Sequence, residues 1–147
     1  MANKRYVMVV DTRRCIGCHT CSLACKLENN QPDGIWWNRV LTVGGAEMDT
    51  PTGEFPNVNM EFITLACQHC ENPACVKVCP VGATWKDEET GLVMQDPEAC
   101  LGCRYCMVAC PYTGVRQFNF EEPQYSGEFP VGSQDAMKHI KSTVEKC

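Results

Sequence analysis

The sequence predicts an α+β fold of small units in tandem with inserted loops, and three observations carry that prediction. Twelve of the thirteen cysteines fall into three groups of four: Cys15, Cys18, Cys21 and Cys25; Cys67, Cys70, Cys75 and Cys79; Cys100, Cys103, Cys106 and Cys110. The first and third groups form an internal repeat, each cysteine displaced by the same 85 residues along with its lead-in, Val9-Val10-Asp11 against Met94-Gln95-Asp96. Runs rich in strand formers precede these two groups, and short helical turns fit inside the groups themselves.

In chain order, Tyr6–Val10 is the first expected strand, and the helix of the first group continues past Lys26 towards Asn29, where Asn30-Gln31-Pro32 ends it. Residues 31–61 are rich in Gly, Pro and Asn and read as an inserted loop packed over the core, with Trp36 and Trp37 as its apolar anchors. In the second group the wider C-x4-C gap brings Asn72 as N-cap and Pro73 at the first helical position. Thr84–Lys86 and Leu92–Gln95, joined by a turn over Asp87–Gly91, read as a hairpin. Pro80 and Pro111 stop the turns of the second and third groups. Segment 117–140 has no clear periodicity. The whole is one domain over 1–147: an outer cysteine motif at 1–30, the inserted loop at 31–61, a central unit at 62–116, and the start of a fourth motif at 117–147.

The third group reads C-x2-C-x2-C-x3-C-P, the bacterial ferredoxin run in which the fourth cysteine ligates a second cluster. A [4Fe-4S] cube takes four thiolates in tetrahedral array, which such a loop and one remote cysteine supply. The expected fold is therefore tandem ferredoxin-like units binding [4Fe-4S] clusters. Cys67, Cys70 and Cys75 are expected to hold one cluster with Cys110, and Cys100, Cys103 and Cys106 a second with Cys79. Gly17 and Gly102 lie in the wrapping loops, where the backbone approaches sulfur closely and positive φ is useful. Ile16, Leu101 and Val108 are expected to exclude water from the clusters.

Competing chemistries fit less well. A disulfide scaffold is disfavoured by the odd cysteine count and the repeated C-x2-C spacing, which suits chelation of one centre. A zinc-stabilised interaction module would use two cysteine pairs separated by a longer stretch. His19 and His69 are read as neighbours of ligands, bonded to sulfide or backbone, and His139 as a surface residue. The net charge of −5, with no Lys/Arg stripe, excludes a phosphate-neutralising nucleic-acid partner. The longest charge-free runs, Cys15–Cys25 and Tyr105–Val115, are eleven residues each, too short to span a bilayer. No nucleophile–base set, phosphate loop or flavin fingerprint appears, so a non-catalytic chain is expected.

With three quartets and the phrase Cys15-Ile16-Gly17-Cys18-His19-Thr20-Cys21-Ser22-Leu23-Ala24-Cys25-Lys26, the chain resembles the four-cluster [4Fe-4S] electron-transfer subunits of molybdopterin oxidoreductases, dimethyl sulfoxide reductase subunits above all. Gly34-Ile35-Trp36-Trp37-Asn38-Arg39-Val40 adds to that resemblance. It implies an electron relay in anaerobic respiration, between a quinol-reactive membrane anchor subunit and a molybdopterin catalytic subunit. The alternatives are the same role in a formate dehydrogenase or hydrogenase, or a soluble ferredoxin. It further implies membrane association through a partner, on the outer (periplasmic) face, with the cytoplasmic face as the alternative.

That family carries sixteen ligand cysteines. By its logic Cys15, Cys18 and Cys21 share a third cluster with a ligand of the fourth motif, and Cys25 completes a fourth cluster whose other ligands begin at Cys147. Two clusters would be complete in this chain and up to four in a full-length protein. The expectation is a C-terminally truncated version of a longer chain; the alternative is a short variant in which Cys147 rescues the first group.

Overall fold

The structure is a computed structural model that describes residues 7–44, 47–125, 132–133 and 135–147. Among these, three short helices and four two-stranded antiparallel sheets are joined by long irregular connections.

Helix α1, Thr20–Glu28, starts directly after His19, whose backbone is left-handed at φ 58°. Lys26 in the last turn suits the negative end of the helix dipole. Asn29 closes the helix, its Nδ2 donating to the Cys25 carbonyl at 2.9 Å. The inserted segment then runs as strand β1, Arg39–Val43, and a hairpin of β2, Thr52–Glu54, and β3, Asn57–Asn59, before β4, Glu61–Leu65, returns to pair with β1 from Arg39↔Leu65 to Val43↔Glu61. The pairing sets the Phe62 ring against Gly17.

Helix α2, Ala74–Lys77, begins one residue later than expected. Pro73 is the cap residue, extended at ψ 111°, so Asn72 falls outside and no side chain caps the helix. Strands β5, Thr84–Lys86, and β6, Val93–Gln95, form the expected hairpin, in register from Thr84↔Gln95 to Lys86↔Val93. Asp87 holds its turn by accepting from the Thr90 amide at 3.0 Å. Helix α3, Tyr105–Ala109, lies against α2 and ends at Cys110, extended before Pro111. Strand β7, Gln117–Phe118, pairs with β8, Val144–Glu145, so the segment after the third cysteine group meets the segment that leads into Cys147.

The expected N-terminal strand is not formed where it can be seen. Tyr6 lies outside the described residues; Val7–Val10 is irregular, and its side chains are exposed, Val9 by 85%. A strand needs a neighbour to satisfy its ladder groups, and none lies beside this run among the described residues. The loop repeat is visible in the backbone: Gly17 and Gly102 have φ 70° and 69°, and His19 and Arg104, again 85 positions apart, 58° and 63°.

The apolar core is small, with Ile35, Trp37, Val40, Ala66, Ala83, Val93, Val115 and Val144 buried. Trp37 anchors the inserted segment in it, as expected of a large side chain in a loose loop. Burying such a side chain fully is worth about 1.5–3 kcal/mol. A core this limited in a chain of 147 residues leaves part of the stability to metal or covalent staples.

Candidate functional site

Two cavities mark the centre of the molecule. One is lined by Cys67, Cys70, Cys75 and Cys110, with Val93, Val115 and Arg116 among its other walls. The second is lined by Cys79, Cys100, Cys103 and Cys106, together with Thr84, Gln95 and Leu101. Each takes three thiols from one cysteine group and one from the other. The exchange follows from the packing of α2 on α3: Cys75 and Cys106 sit within these helices, whereas Cys79 and Cys110 lie just past their ends, where the backbone has crossed to the neighbouring cavity.

All thirteen cysteines are free thiols. Among the described residues, no three His, Cys, Asp or Glu side chains converge as a single bound metal ion requires. The central thiols instead line two sites in sets of four, the number of thiolates a [4Fe-4S] cube takes.

The thiols differ in their surroundings. Burial pushes Cys106 up, partly opposed by the charge and hydrogen bond of Arg116. Burial likewise raises Cys110, reinforced by the like charges of Cys75 and Cys67 and opposed by the Tyr112 amide and Arg116. At Cys79 burial acts upward, but the amides of Thr84, Val81, Ala83 and Gly82 outweigh it and hold the thiol below its ordinary value. The Cys79–Thr84 loop thus wraps its backbone donors around one sulfur, as a thiolate ligand demands. The Gly102 amide also donates to Cys100 Sγ, at 3.4 Å.

The first group is more open. Cys18 and Cys21 are exposed, and the Thr20 hydroxyl and amide lower the Cys18 thiol. Cys25 is better enclosed: its Sγ accepts from Gln31 Nε2 at 3.2 Å and from Asn29 Nδ2 at 3.7 Å. Cys147 is brought to this region. Burial raises its thiol, and Cys25 and Cys67 act on it as neighbouring like charges.

Two expectations need correction. Ile16 and Val108 are 78% and 86% exposed and exclude no water from the cavities; Leu101 lines the second cavity but is 69% exposed. These residues project from loops and a short helix whose other faces carry the thiols. His139 is not a surface residue. Its side chain is 2% exposed, with Nδ1 2.8 Å from Glu145 Oε2 and Nε2 3.0 Å from the Asn29 carbonyl. His69 does bond to backbone, its Nδ1 accepting from the Val93 amide at 2.9 Å, and burial, with Lys146 and Lys86 nearby, lowers it to about 4. His19 faces Asp49 at 3.6 Å.

Sequence reasoning missed the buried polar residues of the site. Arg116 and Lys146 are 3% and 4% exposed. Arg116 Nη1 donates to Gln95 Oε1 at 3.0 Å and Thr84 Oγ1 at 3.4 Å. Burial lowers Lys146, opposed by the thiols of Cys67, Cys147 and Cys75. The only sequence signal for Arg116 is its position directly after a charge-free run, which does not show burial.

Residues 58–124 match the model of the 4Fe-4S dicluster domain family. The chain is 50% identical to a putative dimethyl sulfoxide reductase iron-sulfur subunit of Halobacterium salinarum, over 97% of this chain and 55% of that protein. It is 47% identical to the arsenate respiratory reductase iron-sulfur subunit of Shewanella sp. strain ANA-3, over 81% of this chain and 47% of the relative. One of the chains of the anaerobic dimethyl sulfoxide reductase of Escherichia coli K12 is 41% identical, over 78% of this sequence and 56% of its own. The chain thus spans about half the length of the curated relatives it matches.

Proposed function

Because this chain carries a domain of the 4Fe-4S dicluster family and is a homologue of iron-sulfur subunits of respiratory reductases, we propose that it is the non-catalytic electron-transfer subunit of such a complex. The observation that carries this reading is the pair of cavities, each ringed by four thiols drawn from both central cysteine groups. The fold reading that goes with it is tandem ferredoxin-like units, supported by the repeated backbone geometry of the two wrapping loops.

In this reading Cys67, Cys70, Cys75 and Cys110 hold one [4Fe-4S] cluster and Cys79, Cys100, Cys103 and Cys106 the second. When bound, each cluster supplies a reversible one-electron site. The thiols would fix the clusters, the Cys79–Thr84 amides would stabilise the charge on sulfur, and Arg116, which lines one site and bonds to Gln95 and Thr84 of the other, links the two. Cys15, Cys18 and Cys21 are assigned to a third cluster, and Cys25 with Cys147 to a fourth. The like charge of Cys25 acting on Cys147 supports the second of these assignments.

The partners in this reading are a molybdopterin catalytic subunit and a quinol-reactive membrane anchor. None of the helices among the described residues is long and apolar enough to cross a membrane, so association with one runs through a partner, on its periplasmic face in our reading. Exposed Ile16, Leu101 and Val108 supply apolar surface beside the thiols for other subunits to cover.

The test is the iron, acid-labile sulfide and zinc content of the anaerobically purified chain, with its visible and electron paramagnetic resonance spectra. About eight irons per chain, two cubes of four, are expected. A colourless protein that holds zinc and no sulfide overturns the proposal.

A further inference from the structure

Arg116 occupies the wall between the two central cavities. It lines the cavity of Cys67, Cys70, Cys75 and Cys110, while its Nη1 donates to Gln95 and Thr84, both of which line the other. The residue is 3% exposed, and its Nη2 is buried without a hydrogen-bond partner. Among the described residues, Arg116 forms no ion pair with a carboxylate. A guanidinium taken out of water needs counter-charge, and two neutral acceptors do not supply it. The negative groups about it are thiols of both sets: it lines the cavity of Cys67, Cys70, Cys75 and Cys110 directly and reaches that of Cys79, Cys100, Cys103 and Cys106 through Gln95 and Thr84.

We propose that Arg116 is a shared counter-charge for the two central clusters, raising the reduction potential of both and easing the presence of an electron on each at once. The inference rests on the reading that these cavities hold [4Fe-4S] clusters. Reduction adds one negative charge to a thiolate-held cluster. A fixed cation at its wall stabilises the reduced form more than the oxidised one, and low surrounding dielectric enlarges the effect. Placed between two clusters, the same cation also offsets the repulsion between their added electrons. Arg suits this position because it stays protonated when buried, where a Lys ammonium gives up its proton more readily.

The measurement is a potentiometric titration of the cluster-loaded protein, followed by electron paramagnetic resonance, on wild type, Arg116→Gln, Arg116→Lys and Gln95→Glu. Arg116→Gln is expected to move both midpoint potentials to more negative values, and Arg116→Lys, whose ammonium gives up its proton more readily, to move them in the same direction by less. Gln95→Glu keeps the guanidinium but sets a carboxylate against it, and is expected to lower both as well. An Arg116 that only bridges strands would change thermal stability or cluster content and leave the potentials where they are. Unmoved potentials in a cluster-loaded Arg116→Gln, or a shift confined to one cluster, overturn the proposal. If Arg116→Gln assembles no clusters, Gln95→Glu decides, and unmoved potentials there overturn it too. A wild-type protein with no cluster signal overturns the cluster reading, and this inference with it.

Discussion

Trp37 and Glu145, 108 positions apart in the sequence, are joined by a hydrogen bond of 3.2 Å from the indole Nε1 to carboxylate Oε2. The same carboxylate takes the Asn119 amide and faces His139 Nδ1, so one fully buried acid ties the inserted segment, β7 and the residues leading into Cys147 together. Trp37 is also bound through its backbone: its amide donates to Gln31 Oε1, and Gln31 Nε2 donates to Cys25 Sγ. A buried anion is thereby connected in a few steps to a candidate cluster ligand. Such networks are costly to leave half-satisfied.

The His139–Glu145 pair makes stability depend on pH. Burial acts to lower His139, but the hydrogen bond and charge of Glu145 and the Asn29 carbonyl outweigh it, with Lys26 opposing, and the imidazole titrates above its ordinary value. A group raised in the folded state contributes stability that is complete below its unfolded value, about 6.5, and is lost as pH rises through the folded one. The melting temperature is therefore expected to fall as pH rises above about 6.5, and His139→Gln to flatten that slope. Glu145→Ala, which strands the imidazolium, should cost about 3–5 kcal/mol at low pH. A wild-type slope retained in His139→Gln would contradict the assignment.

Gly17 and Gly102 share a backbone conformation but not its surroundings. At Gly17 an added Cβ would press on the Phe62 ring, a side chain; at Gly102 it would strike the Ser142 carbonyl, which is backbone and cannot move by a change of rotamer. Left-handed geometry alone costs a non-glycine residue roughly 1–2 kcal/mol. Gly102→Ala is thus expected to lower the melting temperature more than Gly17→Ala and to shed iron from the cavity beside it. Equal losses in the two variants would mean that the Ser142 contact yields as easily as the ring.

What the sequence made legible was whatever short-range spacing dictates. The cysteine spacing, the left-handed loop at Gly17 and Gly102, the turn at Asp87–Gly91 and the end of α1 at Asn29 all depend on residues a few positions apart. What it hid depends on distant partners. Val7–Val10 has strand-forming residues but, among the described residues, no neighbour to pair with. The β1–β4 ladder joins residues across the whole inserted segment. His139 read as surface because the carbonyl that holds its Nε2 belongs to Asn29, 110 positions away, which no local pattern announces. Arg116 and Lys146 were missed for the same reason: a charged residue is expected outside, and only packing against thiols brings it in.

Lys26 shows how the first group is held to the inserted loop. Its Nζ donates to the carbonyls of Pro32 at 2.7 Å and Ile35 at 3.0 Å and lies 4.5 Å above the Trp36 ring. Lys26→Met keeps the apolar stem but removes both charged hydrogen bonds and the cation–π contact, a loss of about 2 kcal/mol. The expected signs are a lower melting temperature, by roughly 2–4 °C per kcal/mol, and a shifted tryptophan emission. Emission that does not change would detach Trp36 from this contact.

The crossed assignment of the central thiols is open to a stoichiometric test. If Cys67 and Cys110 serve one cluster, Cys67→Ser and Cys110→Ser should each remove about four irons, and the double variant no more than either. Cys67 and Cys79 lie in the same sequence motif but line different cavities. Their double variant should then lose about eight irons, the contents of both sites. An uncrossed arrangement, in which each motif fills its own site, reverses the pattern: Cys67 with Cys79 would cost one cluster and Cys67 with Cys110 two. Iron and sulfide analysis of these four variants separates the arrangements even where one serine substitution leaves a partial cluster, because the comparison rests on which pair of losses adds and which does not.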